Sequence, residues 1–252
     1  MSETLDEIGR LIERKEFAFA VTPNVDHVMR HRRHQEFRNI YAAAQLVVPD
    51  GVPLLWASKL LGDSLKERVN GTDLFERTCS LAAERGYSVY LLGGNPGAAG
   101  RAGKRLLESN PGLRIAGWDC PPPGFQKDAD SNARIVKKVR DSGADILFVA
   151  LGSPKQEEWI YRFGRSTGAK FAVGIGISFS LVGGDIKRAP VFLQRAGLEW
   201  LWRLSREPAR LWKRYLLDDM PFLGLVLREA WTRRRIAGAA PKIPGRVERL
   251  FR

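Results

Sequence analysis

The sequence predicts an α/β fold with a doubly wound, mostly parallel sheet, followed by a basic helical C-terminal appendage. Short apolar runs alternate with segments whose apolar residues recur at helical spacing, as expected of parallel strands joined by helices. The chain has 252 residues and is 44% hydrophobic, enough to bury a sizeable core. The alternation stops near Pro190, where tryptophan and arginine become frequent.

The alternating part contains six predicted strands and an amphipathic opening helix at about residues 3–14. Helices between parallel strands cover both faces of the sheet, which predicts a Rossmann-like architecture. The strands are expected at 17–21, 45–48, 88–92, 113–116, 145–150 and 171–173, and the helices between them at 52–61, 73–85, 97–108, 130–139 and 155–163.

Composition divides the chain into an α/β core at 1–192, a Trp/Arg-rich helical appendage at 193–236 and a flexible basic tail at 237–252. From Lys187 to Arg252 there are 16 Lys and Arg against 6 Asp and Glu, which accounts for +10 of the total charge of +13. Such a block favours nucleic acid or the negatively charged face of a membrane. The interleaved Trp and Leu side chains favour the membrane, although a solvated basic helix face is the plainer alternative.

The location of the protein is predicted from the absence of a membrane-spanning run and of a signal peptide in the sequence. No apolar run approaches the roughly 20 residues that span a bilayer, and the first six residues are too acidic and polar for a signal peptide. We therefore expect a cytoplasmic protein. The two cysteines, Cys79 and Cys120, have no CxxC spacing and indicate neither a disulfide framework nor a cysteine zinc site.

Polar side chains follow two of the predicted strands. Asp50 comes after the run that ends at Val48, and Thr22 and Asn24 close the run at 17–21. Open α/β sheets bind ligands at the carboxyl ends of their strands, so these side chains are expected to line one cleft. Capping of the following helices explains Asp50 and Thr22 equally well, and the residues alone leave both explanations open.

Two further strand ends carry features of anion sites. Gly93 and Gly94 precede a helix, where backbone N–H groups can cradle a phosphate, but the spacing is not GxGxxG and a tight turn is an equal alternative. After the strand at 145–150, Ser153 is expected to cap a helix. Lys155 and Gln156 then lie in the first turn, beside the positive end of the helix dipole, an arrangement that suits a diphosphate.

Two other motifs are weaker candidates for a metal or metal-nucleotide site. The three histidines at 27, 31 and 34 have helical spacing, but arginines crowd the same segment and no nearby carboxylate completes a metal site, so surface histidines are expected. Asp128 and Asp130 form a DxD string without a preceding apolar strand, which favours a helix cap over a metal-nucleotide site. Neither a P-loop nor a GxSxG nucleophile motif occurs.

Seven short motifs occur in an order and spacing that resemble the WecG/TagA/CpsF glycosyltransferases (glycosyltransferase family 26), over residues 15 to 225. The resemblance implies inverting transfer of a hexose or N-acetylhexosamine, such as N-acetylmannosamine or glucose, from a UDP-sugar to a sugar on undecaprenyl diphosphate, for a cell-surface polysaccharide or a teichoic acid-type polymer. The motifs are Thr22-Pro23-Asn24, Pro49-Asp50-Gly51, Arg68 before Asn70-Gly71-Thr72-Asp73, Leu92-Gly93-Gly94-x-Pro96-Gly97, Gly152-Ser153-Pro154-Lys155-Gln156-Glu157, Lys187-Arg188-Ala189-Pro190 and Gly197-Leu198-Glu199-Trp200-Leu201.

The resemblance also implies roles for individual residues. Asp50 resembles the catalytic base of the family, Thr22 and Asn24 its cleft-lining residues, and Arg68 and Gln156 its substrate and diphosphate contacts. No metal or other cofactor is implied. One departure is Ser180, since the family commonly has Asp at this position, in a place that bears on donor selection.

The appendage resembles the part of the family that brings the enzyme to the inner face of the cytoplasmic membrane and supplies arginines to the active site. By position, Arg203 and Arg210 match best, and the third cation is Arg214 or Lys213. Arg203, Arg206, Arg210 and Arg214 share one face if a single helix continues through Pro208.

Three alternatives remain at this stage. Two of them are non-catalytic: a nucleic-acid-binding module and a membrane-associated scaffold, each using the basic segment, although the charge is confined to the appendage and nucleic acid is not expected as a partner. A nucleotide-dependent oxidoreductase is disfavoured by the incomplete glycine motif. The sequence does not identify the donor sugar, and it leaves a homo-oligomer open.

Overall fold

The computed structural model describes residues 1–206, 208–213 and 219–237, and within these ranges it leaves the side chains of Arg195, Arg210, Leu211 and residues 234–237 undescribed. The described strands are β1 (Ala18–Val21), β2 (Leu46–Val47), β3 (Ser88–Gly93), β4 (Arg114–Asp119), β5 (Ile146–Ala150) and β6 (Phe171–Gly174). They form one sheet in the order β2-β1-β6-β5-β3-β4, and every neighbouring pair is parallel. The predicted α/β fold is confirmed, and the sheet is entirely parallel.

Helices connect and flank the strands. Two short 3-10 helices, Phe125–Lys127 and Gly164–Thr167, complete the connections. The α-helices of the described residues are α1 (Ser2–Glu13), α2 (Val25–Arg33), α3 (Gln35–Ala43), α4 (Val52–Leu60), α5 (Gly71–Arg85), α6 (Ala98–Ser109), α7 (Ala129–Ser142), α8 (Lys155–Phe163), α9 (Ser178–Val182), α10 (Val191–Arg195), α11 (Glu199–Arg206), α12 (Pro208–Lys213) and α13 (Met220–Ala237).

The central strands are buried on both faces, because helices cover both sides of a parallel sheet. Successive residues of a strand point to opposite faces, and on β5 both alternating sets, Ile146 with Phe148 and Leu147 with Val149, are fully buried. Helices α1, α5 and α6 cover one face, where Phe75 meets Phe148 edge-on at a centroid distance of 4.7 Å. Helices α7 and α8 pack against strands β4, β5 and β6. Such strands have no room for unpaired polar side chains.

The predicted and observed strands agree closely, with two exceptions. Strand β2 contains only Leu46 and Val47, and β4 continues past its predicted end to Asp119. The DxD string behaves as predicted: the Asp128 carboxylate accepts a hydrogen bond of 3.0 Å from the Ser131 N–H and caps α7.

The expectation of surface histidines is wrong for His27 and His31, which are both buried on α2. His27 packs edge-on against Phe37 at a centroid distance of 5.4 Å. Burial lowers the pKa of His31, and two neighbouring arginines lower it further, so this side chain is neutral near pH 7. Contacts from other elements enclose this helix, which the local sequence presents as basic and exposed: Phe37 of α3 packs on His27, and α13 packs against α2.

The chain divides into two compact units. Unit 1 contains Met1–Thr22, Ile40–Val48 and Val69–Lys187, and it holds the whole sheet. Unit 2 contains Pro23–Asn39, Pro49–Arg68 and Arg188–Arg252. The division at residues 192 and 236 that composition suggests stays a prediction.

Unit 2 is helical in its described part, and the C-terminal helix is built into its core. Phe222 and Val226 of α13 pack with Val28 of α2 and Leu54 of α4. The Arg233 guanidinium donates a hydrogen bond of 2.6 Å to the Leu61 carbonyl, which ties the end of α13 to the end of α4. Within the described ranges, no helix combines the length and apolar character needed to cross a membrane.

Asp145 ties together the starts of three strands in unit 1. Its carboxylate accepts hydrogen bonds from the Ser88 N–H at 2.9 Å, the Ser88 hydroxyl at 3.0 Å and the Lys170 ammonium at 2.7 Å. Burial opposes ionisation of this carboxyl, but the bonds from Lys170 and Ser88 outweigh it and hold the pKa of Asp145 below its usual value.

Replacing Asp145 by Asn should lower the free energy of unfolding by about 1–2 kcal/mol at pH 7, because the variant loses charge-assisted hydrogen bonds while keeping its size. A depressed folded-state pKa means that the carboxylate stabilises the fold above its unfolded pKa of about 3.9 and loses this effect as the pH falls through the lower folded-state value. Urea unfolding should therefore show a constant difference from about pH 7 to 5 that shrinks below about pH 4.

The matched control is Asp141→Asn, which removes an exposed ion pair with Lys137 on α7. Exposed pairs contribute little, so this variant should unfold nearly as the wild type does. Equal losses in the two variants, or a loss at Asp145 that persists unchanged to pH 3, would contradict the role assigned to Asp145.

Candidate active site

The order of the strands creates a crevice at the carboxyl ends of β3 and β5. These two strands are neighbours, but the chain leaves β3 towards β4 on one side and leaves β5 towards β6 on the other. Adjacent connections that diverge in this way leave a gap above the sheet, and open α/β sheets bind ligands at such a point. The two anion-site candidates of the sequence, at Gly93 and at Lys155, lie on its two sides.

The glycine loop after β3 is shaped by close approach to the end of β5. Gly93 has φ +95°, and a Cβ atom on it would lie 2.8 Å from the Ala150 carbonyl oxygen, so a side chain is excluded by space as well as conformation. The Gly94 N–H donates to the same oxygen at 2.8 Å and is already used within the fold. Gly97, with φ +77°, stands at the N-cap of α6 without a side-chain hydrogen bond. The Ala98 N–H donates to the Asn95 carbonyl at 2.9 Å, so the donors left for a ligand are the N–H groups that follow it in the first turn of α6.

The helix after β5 also begins without a side-chain cap. Pro154 occupies the N-cap position of α8, and the expectation that Ser153 caps this helix is wrong. Within the described residues, the Ser153 hydroxyl is buried without a hydrogen-bond partner. Lys155 and Gln156 lie in the first turn as predicted, with Lys155 exposed and Gln156 buried. By contrast, side chains of Asn70 and Asp128 cap α5 and α7 in the same unit.

Gln156 joins the first turn of α8 to the end of β6. Its amide oxygen accepts from the Gly176 N–H at 3.0 Å, and its amide nitrogen donates to the Glu157 carboxylate at 2.7 Å. Gly174 has to be glycine here, since a Cβ atom on it would lie 2.5 Å from that amide nitrogen. Gln156 is thus firmly oriented, and the bond to Glu157 uses one of its two amide hydrogens.

The other unit 1 candidates lie near further strand ends. Thr22 directly follows β1, the neighbour of β6, and is buried. Ser180 is buried on α9, and its hydroxyl accepts a long hydrogen bond of 3.5 Å from the amide of Asn95 in the glycine loop. In the described part of the chain, no group of three or more His, Cys, Asp or Glu side chains is arranged to hold a metal ion.

In unit 2, Asp50 and Arg68 form an ion pair. The Arg68 Nε atom lies 3.5 Å from Asp50 Oδ1, and the Arg68 Nη2 atom donates a short hydrogen bond of 2.6 Å to Glu199 Oε2. The second Glu199 oxygen lies 3.4 Å from Arg188 Nε. All four side chains are at most 24% exposed. Two carboxylates and two guanidiniums thus alternate in one largely buried chain, the Asp50–Arg188 network.

Asn24 lies beside Asp50 and has a structural task of its own. The Asp50 N–H donates to the Pro23 carbonyl at 2.8 Å, so the two segments run side by side. The Asn24 side chain accepts from the His27 N–H at 3.1 Å and caps α2, while Gly51 occupies the N-cap position of α4. The N-cap positions therefore belong to Asn24 and Gly51 and not to Thr22 and Asp50, which weakens the capping alternative for both.

The basic C-terminal residues are divided between two described helical segments. Helix α11 ends at Arg206 and α12 begins at Pro208, and position 207 lies outside the described residues, so the condition of a single continuous helix stays a prediction. Arg203 lies one turn after Glu199 on α11, and its Nε atom is buried without a hydrogen-bond partner within the described residues. The Arg210 backbone belongs to α12, whereas Arg214 lies outside the described residues.

Sequence reasoning missed the carboxylate of Glu199 and the guanidinium of Arg188. Both occur in motifs that carried the family resemblance, but neither follows a predicted strand, and no local pattern distinguishes them from surface charges. The bond between Arg68 and Glu199 joins residues 131 positions apart. Only the folded chain brings them together.

Comparison with known proteins identifies similar sequences over most of the chain. The sequence profile of the Glycosyl transferase WecG/TagA/CpsF family matches residues 1–236. An N-acetylglucosaminyldiphosphoundecaprenol N-acetyl-beta-D-mannosaminyltransferase of Bacillus spizizenii is 33% identical over 237 residues, 94% of this chain and 87% of that protein. A protein of the same name from Bacillus subtilis is 27% identical over 205 residues, 81% of this chain and 77% of its own length. The profile match includes both groups of candidate residues.

Proposed function

The chain belongs to the WecG/TagA/CpsF glycosyltransferase family, and from that membership we propose that it transfers a hexose or N-acetylhexosamine from a UDP-sugar to a sugar carried on undecaprenyl diphosphate. The product would enter a cell-surface polysaccharide or a teichoic acid-type polymer. The names of the two relatives support UDP-N-acetylmannosamine as the first donor to test and N-acetylglucosaminyl-diphosphoundecaprenol as the first acceptor.

The observation that carries the proposal is the ion pair of Asp50 with Arg68. A carboxylate held next to a guanidinium stays ionised and is able to accept a proton. In the proposed reaction, Asp50 takes the proton of the acceptor hydroxyl while that oxygen attacks the anomeric carbon on the face opposite UDP. The new C–O bond forms as the bond to the UDP oxygen breaks, UDP leaves with the electron pair, and the anomeric configuration inverts.

The departing diphosphate gains negative charge, and unit 1 holds the groups suited to stabilise it. Two helix N-termini without side-chain caps, those of α6 and α8, flank the crevice at β3 and β5. The dipoles of these helices and the Lys155 ammonium favour an anion there. We further assign Gln156, through its second amide hydrogen, and Thr22 to the donor, and Asn24, Arg203 and Arg210 to the substrates, with Arg214 or Lys213 as the third cation.

The proposal includes attachment to the inner face of the cytoplasmic membrane through the C-terminal helices. One side of α13 is buried in unit 2 through Phe222, Val226 and Ala230. Another side exposes Met220, Leu223, Leu227 and Trp231, each by more than half. These four recur every three or four residues and form an exposed apolar stripe on a helix that also carries arginines. A lipid-linked acceptor lies in the membrane, so an enzyme that uses it would contact lipid through this stripe.

Acceptor-dependent release of UDP should be observed with one donor from a panel of UDP-sugars, using a synthetic polyprenyl-diphosphate-linked N-acetylglucosamine as acceptor. In the Asp50→Asn variant, kcat should fall by about 10²–10⁴, because the base is lost, while UDP binding is kept. The matched control is Asp130→Asn in the DxD string, which should turn over like the wild type. Near-normal turnover of Asp50→Asn would remove Asp50 from the role of base.

Replacing Trp231 by Gln should weaken binding to anionic liposomes, because the stripe loses its largest apolar side chain. The control is Trp118→Gln: Trp118 is exposed to the same degree, 58% against 56% for Trp231, but lies on the edge strand β4 of unit 1. Co-sedimentation with vesicles of phosphatidylglycerol should show a loss for Trp231→Gln alone. Equal retention by the two variants would contradict attachment through α13.

A further inference from the structure

Arg68 is shared unequally between two carboxylates. Its Nη2 atom makes a charge-assisted hydrogen bond of 2.6 Å to Glu199, whereas its Nε atom stands 3.5 Å from Asp50. Within the described residues, that Nε atom is buried and makes no hydrogen bond. The guanidinium is therefore bound to Glu199 and only in ion-pair range of Asp50.

Glu199 is in turn held by arginines on both of its oxygens. Oε2 accepts from Arg68 and Oε1 lies 3.4 Å from Arg188, and the Glu199 side chain is 14% exposed. Water screens such a group poorly, so its charge acts strongly on its neighbours. If Glu199 lost its charge, the Arg68 guanidinium would turn towards Asp50, its other carboxylate partner among the described residues.

A bidentate ion pair with Arg68 would make Asp50 a poorer general base. Guanidinium and carboxylate favour a bidentate arrangement with two parallel N–H···O bonds, which occupies both carboxylate oxygens. An oxygen engaged in this way is a poorer acceptor for the proton of a hydroxyl group. A base needs a nearby cation that favours ionisation, and it needs a free direction for the incoming proton.

We propose that Glu199 is a positioning residue for the transfer reaction. By taking the Nη2 hydrogen bond of Arg68, Glu199 keeps the guanidinium close enough to favour ionised Asp50 and prevents the bidentate pair that would block it. The inference rests on the proposed function, in which Asp50 is the base. In this proposal the C-terminal part of the chain does more than supply cations. Glu199, in the first turn of α11, keeps Arg68 from engaging both carboxylate oxygens of Asp50.

A double-mutant cycle in the full chain tests whether Glu199 acts through Arg68. Glu199→Gln should lower kcat for acceptor-dependent UDP release about tenfold and change the donor KM little, since it disturbs proton transfer and not donor binding. Arg68→Ala should lower kcat further. In the Arg68→Ala background, Glu199→Gln should have no additional effect, because the group through which it acts is gone.

The matched control is Glu229→Gln, which removes another glutamate–arginine pair of unit 2, Glu229 with Arg233 at 3.0 Å. This variant should keep the wild-type kcat. Glu199→Asp keeps the charge but shortens the side chain, and its kcat should fall between those of the wild type and Glu199→Gln. All variants are compared at a temperature at which circular dichroism shows them folded; if Glu199→Gln does not fold, Glu199→Asp takes its place in the cycle.

The outcomes separate this inference from the proposed function. An equal fold-loss from Glu199→Gln in the presence and absence of Arg68, or a wild-type kcat for Glu199→Gln, overturns the positioning role while leaving Asp50 as the base. Full activity of Asp50→Asn overturns the assignment of the base itself, and the role of Glu199 with it. A loss confined to the Arg68-containing background supports the positioning role.

Discussion

The parallel direction of all six strands is the constraint on which the placement of the candidate residues depends. Parallel neighbours cannot be joined by tight hairpins, so the carboxyl end of each strand leads into a longer connection, which here usually begins with a loop and a helix N-terminus. The buried strands themselves admit only apolar side chains. Polar chemistry is therefore confined to the segments after the strands, and Thr22, Asp50, Gly94 and Gln156 each come from such a segment.

Side chains cap some helix starts of the described residues, whereas α4 and α9, as well as α6 and α8, begin without such a cap. Asn24, Asn70 and Asp128 each place a side-chain oxygen on the first N–H groups of a helix and satisfy them within the fold. Helices α6 and α8 begin without such an oxygen, and both start beside the point where the connections of β3 and β5 diverge. Backbone carbonyls take the Ala98 and Gln156 N–H groups, and a leaving group that gains negative charge is suited to the positive dipole ends of these helices and their remaining first-turn donors.

Local signals in the sequence are enough to predict the fold class, all six strands to within three residues, the cap at Asp128, and the place of Lys155 and Gln156 in the first turn of α8. They failed where contacts with another element decide the outcome. His27 and His31 lie among arginines and are predicted to be exposed, yet both are buried, and Phe37 of α3 packs on His27. No local sequence pattern marks Arg68 as part of an ion-pair network. The carboxylate that accepts its hydrogen bond, Glu199, lies 131 residues further along the chain. Composition predicts a C-terminal appendage, and this division stays a prediction; the structure adds that α13 contributes Phe222 and Val226 to the core of unit 2.

Single displacement at the anomeric carbon, with Asp50 as base, is the step from which the other assignments follow. The anomeric configuration of the newly formed glycosidic bond tests it most directly, determined by NMR on the product made from one UDP-sugar and the lipid-linked acceptor. We predict that the configuration is inverted relative to the donor, because the acceptor oxygen attacks opposite UDP. Retention would require a second displacement or a different approach, and it would contradict the role given to Asp50.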